Sequence, residues 1–418
     1  MKQNLKKELE NIAKEALQAS RALAVLSTGA KNAVLKDMAA ALLNKRVVIL
    51  KANKKDIAGS GGKGRAFIDR LTLNHARIKQ MADSLLDIVK LKDPVGRVLR
   101  AWKLSNGLRI NKVSSPIGVV AIIYESRPNV TSDCIGLCFK SGNSVILRGG
   151  SESLNSNIAI YNVLNAVMLK HGLPCGAINL IEVSDRKAVD ILLKFNNYID
   201  VVIPRGGEEL INKVVSSSRI PVIKHYKGIC HVYVDEWADL NMAEKICFNA
   251  KLQRPGVCNA MESMLVHRDA ADRFLPGMLK KFKDAGVQIR GCPTTVRIAK
   301  WAKAATEKDY RTEYLDLILS VKVVQDLDAA IAHINDYGSH HSDSIVTEDR
   351  ENAKRFLRRV DSACVYVNAS TRFTDGNQFG MGAEIGISTD KLHARGPMGL
   401  QELTTYKYMI FGSGQIRE

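Results

Sequence analysis

Cys258 is the residue of this chain best suited to act as a nucleophile. It lies in the run NAKLQRPGVCNAMES (249–263), after a Pro-Gly pair whose turn-forming residues leave a thiol open to a substrate. We expect the turn to lead into a helix, whose first N–H groups would favour the thiolate, as would the positive charges of Lys251 and Arg254. The alternative is that Cys258 packs as a small apolar side chain, since it is one of eight cysteines.

The cysteines and the apolar runs indicate the cellular compartment. No two cysteines form a CxxC pair, which argues against a zinc cage or a disulfide framework and fits a reducing environment. No apolar run approaches the roughly 20 residues that span a bilayer, and the first residues read as an amphipathic helix without a signal-peptide core. We therefore expect a cytoplasmic protein with no metal site and no membrane segment.

The net charge of +18 raises the question of nucleic-acid binding. The basic residues are spread over helix faces instead of forming a tract, and no stacking aromatic residues are interleaved with them. We therefore expect no nucleic-acid partner. A positive surface would also attract small molecules that carry phosphate.

The chain of 418 residues is long enough for two or more domains. Apolar spacings of three and four predict helices up to about residue 92, with breaks at Gly29 with Asn32 and at the glycine cluster 59–64. That cluster, GSGGKG, matches the dinucleotide fingerprint GxGxxG. Because it follows a lysine-rich helix and not a strand, we interpret it as a flexible loop.

A β-hairpin is predicted over residues 97–113, where polar and apolar residues alternate on both sides of Asn106-Gly107. The C-terminal run 404–411 has the same strand character and could pair with it. A lone hairpin is only marginally stable, so it should pack against something else, such as another subunit.

Strands and helices alternate from residue 115 to residue 235, which predicts a parallel sheet covered on both faces. Ligands of such sheets bind beyond the carboxyl ends of the strands, which here are residues 124–129, 148–152 and 204–208. A second α/β domain follows Cys258, with strands that include residues 264–266 and 318–324. Residues 368–391 lack periodicity and are predicted to form a functional loop.

Several stretches together resemble one known family, in order and over essentially the whole chain. They are SPIGVVAIIYESRPNVTSD (115–133), VILRGGSES (145–153), IDVVIPRGGEELI (199–211), NAKLQRPGVCNAMES (249–263), SIVTED (344–349) and NQFGMGAEIGIST (377–389). The family is that of the gamma-glutamyl phosphate reductases, which serve proline biosynthesis and belong to the aldehyde dehydrogenase superfamily.

This resemblance implies a fold and a domain organisation. The fold would be α/β and aldehyde dehydrogenase-like, with a Rossmann-like cofactor domain at residues 1–96 and 116–228 and an α/β catalytic domain at 229–390. A hairpin and a C-terminal strand, at 97–115 and 400–418, would form an oligomerisation element. The resemblance also implies a homo-oligomer and makes glutamate 5-kinase, which would supply the substrate, a candidate partner.

The implied reaction is the NADPH-dependent reduction of L-glutamyl 5-phosphate to L-glutamate 5-semialdehyde and phosphate, through a thioester on Cys258. Asn129, in ESRPNV, would stabilise the oxyanion together with the Cys258 N–H. Its alternative role is that of an ordinary turn asparagine. Another acyl phosphate or an acyl thioester stays open as the substrate of the same scaffold.

The resemblance places cofactor residues as well. Arg148 stands where the superfamily binds the adenosine ribose. This cation is followed by Gly149, Gly150 and Ser151, with no acidic residue there to hold a 2′-OH, which favours NADP over NAD. The remaining cofactor residues would be Gly206 and Gly207, for close backbone approach, and Glu313, for the nicotinamide ribose, although Glu313 could equally be a surface helix residue.

One departure from the superfamily is informative. Its hydrolytic members carry a water-activating glutamate about 34 residues before the cysteine, whereas this chain has Lys224 there, followed by His225. A phosphate-releasing reaction needs no such base, and its loss should protect the thioester from water. Lys224 or His225 could instead attract the substrate phosphate, or both could form a solvated basic turn.

The amino-acid end of the substrate needs a cation for its carboxylate. Arg372 is the candidate, with Ser370 and Thr371 beside it and Asp375 as a partner for the ammonium group. The rivals are Arg127 and Glu125, and a structural salt bridge is the alternative.

Overall fold

The computed structural model describes residues 2–417, and the chain divides into two compact units. Unit 1 extends to Lys224 and also contains Gly380–Gly386 and the chain from Met398, and unit 2 comprises His225–Phe379 and Ile387–Pro397. Within residues 2–417, no helix is both long enough and apolar enough to cross a membrane. The roles predicted for the two domains stay predictions.

The first part of unit 1 is helical, as predicted. Its helices are α1 (Lys2–Leu23), α2 (Thr28–Asn44), α3 (Arg46–Gly59), α4 (Arg65–Leu71) and α5 (His75–Lys90). The predicted break at the cluster 59–64 is confirmed, because α3 ends there. The predicted break at Gly29 and Asn32 is wrong, since both lie inside α2. That helix starts earlier because Ser27 caps it, accepting a hydrogen bond from Ala30 N at 3.2 Å.

The hairpin follows as β1 (Val98–Lys103) and β2 (Arg109–Pro116), which pair antiparallel across the Asn106-Gly107 turn. Gly107 has a φ of 93°, which is the left-handed geometry that such a tight turn requires and that glycine adopts without strain. The predicted hairpin is therefore confirmed.

The sheet of unit 1 is parallel, with the strand order β5-β4-β3-β6. Its elements are β3 (Val119–Tyr124), α6 (Asn129–Lys140), β4 (Ser144–Arg148), α7 (Leu154–Lys170), β5 (Ile178–Leu180), α8 (Lys187–Leu192), β6 (Val201–Arg205) and α9 (Glu208–Ser217). All residues of β3 and β4 are buried, as their continuous apolar sequences predict. Strands β4 and β6 lie on opposite sides of β3, so the direction in which the chain adds strands reverses at β3. Such a switch point leaves a crevice at the carboxyl ends of the strands.

Unit 2 contains a longer parallel sheet of order β10-β9-β11-β8-β7-β12-β13. Its elements are β7 (Cys230–Val234), α10 (Leu240–Leu252), β8 (Met261–His267), α11 (Arg268–Asp284), β9 (Gln288–Gly291), α12 (Pro293–Ile298), β10 (Lys303–Ala304), α13 (Glu307–Tyr310), β11 (Ile318–Val324), α14 (Leu327–Tyr337), β12 (Ser342–Val346), α15 (Arg350–Arg359) and β13 (Cys364–Val367). Successive residues of β7 enter different cores: Val232 and Val234 pack with Phe274 of α11, and Tyr233 stacks on Phe356 of α15. The second α/β domain is therefore confirmed.

The last strands are β14 (Gly386–Ser388), β15 (Gly396–Met398) and β16 (Thr404–Phe411). β16 pairs antiparallel with β2, as predicted, and completes a sheet of order β1-β2-β16. Most residues of β1 and β16 are exposed, including Tyr408, Ile410 and Phe411. This sheet therefore presents apolar side chains to solvent.

Candidate active site

Cys258 lies in the connection between α10 and β8, within unit 2. The helix predicted to follow it directly is wrong, because the chain enters β8 at Met261. The strand predicted at residues 264–266 is confirmed as part of β8, every residue of which is buried. A continuous buried run between two neighbouring parallel strands favours a strand over an amphipathic helix. The Cys258 side chain is partly exposed, so a small reagent can reach its sulfur.

The other thiols differ in exposure. Cys175 is exposed, and each of the remaining six cysteines is buried. Buried thiols are held in their neutral form, since burial raises the pKa of Cys230 and of Cys247 above the ordinary value. Of the cysteines of unit 2, Cys258 is thus the one that solvent reaches.

The backbone at Cys258 is held by a glycine. A Cβ atom built on Gly228 would lie 1.8 Å from the Cys258 carbonyl oxygen, so only a glycine fits there. The thiol of Cys230 donates a hydrogen bond to the same oxygen, with an S–O distance of 3.2 Å. Glu313 Oε1 accepts a hydrogen bond from Gly228 N at 2.8 Å. Glu313 follows α13 and is not part of a helix, and it supports the thiol turn through Gly228.

The segment 370–374 is bonded to the residue after the thiol. Asn259 donates from Nδ2 to the carbonyl oxygen of Thr374 at 2.8 Å, and its own carbonyl accepts from Thr371 Oγ1 at 2.8 Å. Ser370 caps the short 3-10 helix Thr371–Phe373 by accepting from Arg372 N at 3.3 Å. The hydroxyl groups of Ser370 and Thr371 therefore hold this segment in place.

Arg372 is the cation that this segment presents beside Cys258. Its Nε donates to Gln253 Oε1 at 2.9 Å. Burial and the positive charge of Arg254 lower the pKa of Arg372, and the charges of Cys258 and Asp375 act in the opposite direction. The carbonyl oxygen of Arg372 lies 3.4 Å from Nδ2 of Asn259, the residue after the thiol. Asp375 accepts from the backbone N–H of Asn377 at 2.9 Å.

His341 is a buried histidine beside Cys230, and sequence reasoning had no basis for selecting it over its neighbour His340. Its Nδ1 lies 3.7 Å from Cys230 Sγ and 2.8 Å from Ser342 Oγ. Burial and the nearby His225 lower the pKa of His341 to about 3, so its ring is neutral at physiological pH. His225 Nδ1 itself lies 3.0 Å from the carbonyl oxygen of Ile387.

Unit 1 contains a cavity of about 680 Å³ at the carboxyl ends of its strands, where the sequence predicted one. Its lining includes Tyr124, Ser126, Arg148, Ser151, Glu152 and Ser184. Gly150 also lines it, and a Cβ at this position would lie 2.3 Å from the Glu152 carboxylate, so glycine leaves room that another residue would occupy.

Arg148 forms part of the cavity wall and is 8% exposed. It donates from Nη1 to the carbonyl oxygen of Gly149 and from Nη2 to that of Ser184, each at 3.0 Å. Burial lowers its pKa. Its Nε is buried without a hydrogen-bond partner among the described residues.

The charges of the lining correct one interpretation of the sequence. Glu152 directly follows Ser151 and lines the cavity. The prediction that no acidic residue lies there was therefore wrong. Its Oε1 accepts from Ser126 N at 2.9 Å and from Ser126 Oγ at 2.6 Å. The cluster 59–64 also contributes Lys63 to the lining, although it does not follow a strand, and Lys55 of α3 joins it. Sequence reasoning missed both lysines.

Gly206 and Gly207 lie next to a second carboxylate. A Cβ on Gly206 would lie 2.5 Å from the carboxyl carbon of Glu125, and Gly207 N donates to Glu125 Oε2 at 3.1 Å. Glu125 lines the cavity. It holds the start of α9, while the neighbouring Arg127 is exposed.

Asn129 is the exposed first residue of α6. Its Nδ2 donates to Asp133 Oδ2 at 3.1 Å, and Asp133 Oδ1 accepts from Ser84 Oγ at 3.0 Å. Burial raises the pKa of Asp133. The Asn129 amide therefore has a fixed orientation at the amino end of its helix, as a hydrogen-bond donor to a ligand would require.

Comparisons with known proteins agree with this architecture. The family model described as "Aldehyde dehydrogenase family" matches residues 1–295 and 305–408. A "Gamma-glutamyl phosphate reductase" of Caldanaerobacter subterraneus is 57% identical over 413 residues, which are 98% of this chain and 100% of the relative. A protein of the same name from Clostridium kluyveri is 57% identical over 97% of this chain and 98% of its own length.

Solved structures give the same result for the fold. The crystal structure of gamma-glutamyl phosphate reductase from Thermotoga maritima is 47% identical, covers 98% of this chain and 100% of its own, and has a TM-score of 0.96. An acetylating aldehyde dehydrogenase from Geobacillus thermoglucosidasius has a TM-score of 0.70 at 17% identity, over 99% of this chain and 98% of its own, so the likeness extends to the fold alone.

Proposed function

The chain belongs to the aldehyde dehydrogenase family and, within it, to the gamma-glutamyl phosphate reductases, and we propose that it carries out their reaction in proline biosynthesis. In this reaction NADPH reduces L-glutamyl 5-phosphate to L-glutamate 5-semialdehyde, with release of phosphate. The observation that carries the proposal is the partly exposed Cys258 on a turn that Gly228 and Cys230 hold, followed by Asn259, which is bonded to the segment 370–374.

Cys258 performs the covalent chemistry. Its thiolate attacks the acyl carbon, the C–S bond forms, and the C–O bond to phosphate breaks, which leaves a thioester on the sulfur. When bound, the cofactor supplies a hydride to that carbon. The resulting thiohemiacetal loses its C–S bond, which releases the aldehyde and regenerates the thiolate. Asn129 and the Cys258 N–H would donate hydrogen bonds to the oxyanions of these steps.

The residues of unit 1 fit a nicotinamide dinucleotide carrying an extra phosphate. The cavity at the switch point has the size of a small-molecule site, and Arg148 forms part of its wall. Lys55, Lys63 and Arg186 add positive charge to the lining. These cations support NADP as the cofactor, with Arg148 and Ser151 on the adenosine side. Glu313 is proposed for the nicotinamide ribose, with the Gly149, Gly206 and Gly207 backbone allowing close approach.

Arg372 is proposed to bind the substrate carboxylate. It is a cation of the segment 370–374, and its hydrogen bonds to Ser370 and Gln253 hold it in place. Ser370 and Thr371 would act by fixing that segment, since their hydroxyls bond to the backbone. Arg127 stays the rival. Lys224, at the position of the superfamily's water-activating glutamate, cannot serve as a carboxylate base, which favours phosphate release over hydrolysis.

Assembly into a homo-oligomer is proposed through the exposed sheet β1-β2-β16. Ile410 is 61% exposed on the edge strand β16, and a free strand edge with apolar side chains is a ready surface for a second copy. Unit 1 would serve as the cofactor domain and unit 2 as the catalytic domain in the cytoplasm. A transient complex with glutamate 5-kinase is proposed on the chemistry alone, because an acyl phosphate hydrolyses readily in water.

The test uses Cys258→Ser, with Cys175→Ser as the matched control at an exposed thiol. NADP reduction is measured with glutamate semialdehyde and inorganic phosphate, the reverse of the proposed reaction. We expect Cys258→Ser to abolish turnover with an unchanged circular dichroism spectrum, and Cys175→Ser to retain it. Turnover by Cys258→Ser would overturn the mechanism. The wild-type enzyme is also tested with a panel of aldehydes and acyl acceptors. A preference for the aldehyde of another acyl phosphate, or for coenzyme A over phosphate, would overturn the proposed substrate.

A further inference from the structure

Lys251 and Glu262 form an ion pair that is closed off from solvent at the base of the thiol turn. Lys251 Nζ lies 2.7 Å from Glu262 Oε2, and both side chains are 0% exposed. Lys251 belongs to the last turn of α10, and Glu262 is the second residue of β8. The connection that carries Cys258 therefore begins and ends at this pair.

Burial opposes both charges. It lowers the pKa of Lys251 and raises that of Glu262, in each case against the attraction of the partner. Buried ion pairs add little net stability, because removing two charges from water costs about as much as their attraction returns. Separating the partners is nevertheless very unfavourable, since each would then be a lone buried charge. The main effect of the pair is therefore to fix the distance between Lys251 and Glu262, and its net contribution to stability is small.

Glu262 also fixes a third segment. Its Oε1 accepts a hydrogen bond from Leu315 N at 3.0 Å. Two residues earlier, Glu313 holds Gly228, which in turn contacts the Cys258 carbonyl oxygen. The Glu262 carboxylate therefore connects three parts of the chain. These are the end of α10, the start of β8 and the segment 313–315, which supports the thiol turn through Gly228.

We propose that the Lys251–Glu262 ion pair is a positioning element for Cys258, which holds the sulfur where the acyl group is transferred. This inference rests on the proposed function of Cys258 as the nucleophile. Neither residue of the pair touches the substrate in this role. Their effect is transmitted by the backbone of the connection and by the Leu315 hydrogen bond.

The experiment separates positioning from stability with the double variant Lys251→Met/Glu262→Met. Each single variant leaves one buried charge unpaired and should melt at a lower temperature, whereas the double variant removes both charges and should melt near the wild-type temperature. In this double variant the N–H of Leu315 loses its acceptor, Glu262 Oε1. If the two methionines prevent folding, Lys251→Met/Glu262→Gln keeps an acceptor for that N–H and takes its place.

Two activities are then measured on the folded double variant. We expect kcat to fall roughly 100-fold, with the KM for glutamate semialdehyde little changed, because a small displacement of a nucleophile has effects of this order. The rate at which iodoacetamide alkylates Cys258, followed by mass spectrometry, should also depart from wild type, while Cys175 keeps its rate. The matched control Lys31→Met/Asp93→Met removes a buried ion pair of unit 1, with an N–O distance of 3.0 Å, and should change neither measurement.

A double variant with the wild-type kcat and the wild-type alkylation rate would overturn the inference, because the pair would then be structural only. Alkylation requires no substrate and no cofactor. If the wild-type chain does not act on glutamate semialdehyde, the proposed function fails, and the alkylation rate still decides whether the pair positions the thiol.

Discussion

Gly228 and Cys258, thirty residues apart in sequence, are in direct backbone contact: a Cβ atom on Gly228 would lie 1.8 Å from the Cys258 carbonyl oxygen. Glu313 Oε1 accepts from Gly228 N at 2.8 Å. The residue proposed for the nicotinamide ribose therefore also supports the backbone of the proposed nucleophile. This contact explains why a side chain at position 228 should affect the chemistry.

Gly228→Ala should lower kcat at least about 100-fold, because the added methyl group must displace the Cys258 carbonyl and with it the sulfur. We also expect a loss of about 1–3 kcal/mol in the free energy of unfolding from overpacking. Steady-state kinetics and urea unfolding check both values. The matched control is Gly256→Ala in the same connection, whose Cβ would meet Leu315 O at 3.6 Å, an ordinary contact. Equal effects of the two substitutions would contradict the explanation.

Asn129→Ala should lower kcat by about 100-fold to 1,000-fold, with a smaller change in KM, because it removes a donor to the oxyanion. Asn74 provides the control, since it is another exposed asparagine at a helix start and caps α5 by accepting from Arg77 N. Asn74→Ala should cost about 1 kcal/mol of stability and leave kcat unchanged. If the Asn129→Ala enzyme kept the full kcat, Asn129 would have only the structural role of a turn residue.

Arg148→Lys should raise the KM for NADPH roughly 10-fold to 100-fold, because a lysine cannot bond to the carbonyl oxygens of both Gly149 and Ser184 while it faces a ligand. The KM for NADH serves as the internal comparison and should change much less if Arg148 meets the additional phosphate. An equal increase for both cofactors would place Arg148 on a group that they share.

His341 should make the protein less stable in acid. Burial lowers its pKa from 6.5 to about 3. Between these two pH values the histidine is protonated in the unfolded chain and neutral in the folded protein. Its contribution to stability is complete above pH 6.5 and is lost as the pH falls toward 3, at about 1.4 kcal/mol per pH unit. Between pH 7 and pH 5 the loss should therefore be about 2 kcal/mol.

His341→Asn should remove this part of the acid sensitivity, which urea unfolding at the two pH values measures. His75→Asn, at the exposed start of α5, should keep the wild-type difference between the two pH values. The assignment to His341 is refuted if both variants lose stability in acid as the wild type does.

Ile410→Lys should lower the molar mass of the protein in solution, because it places a charge on the exposed edge strand β16. Light scattering after size-exclusion chromatography measures the mass. Leu392→Lys changes an exposed leucine outside this sheet, with 86% of its surface exposed, and should keep the wild-type mass. An unchanged mass for Ile410→Lys would remove β16 from the interface.

The order and type of most elements follow from the sequence because they depend on local pattern. The strand predicted at residues 318–324 is β11 at those bounds, and the alternation around Asn106-Gly107 forms the predicted hairpin. Periodicity and turn residues act over a few positions, so they can be recognised without knowledge of the rest of the chain. The proposed nucleophile, Cys258, was also selected in this way, from its turn and its neighbours.

The sequence was insufficient wherever a decision depended on distant parts of the chain. The turn at Cys258 leads into β8 without the expected helix because parallel neighbours β7 and β11 flank this strand in the sheet. Lys63 reaches the cavity of unit 1, and Glu262 pairs with Lys251, only because the folded chain brings these side chains together. Contacts of this kind depend on the path of the backbone and on the cost of burying an unpaired charge, and neither can be derived from a local pattern of residues.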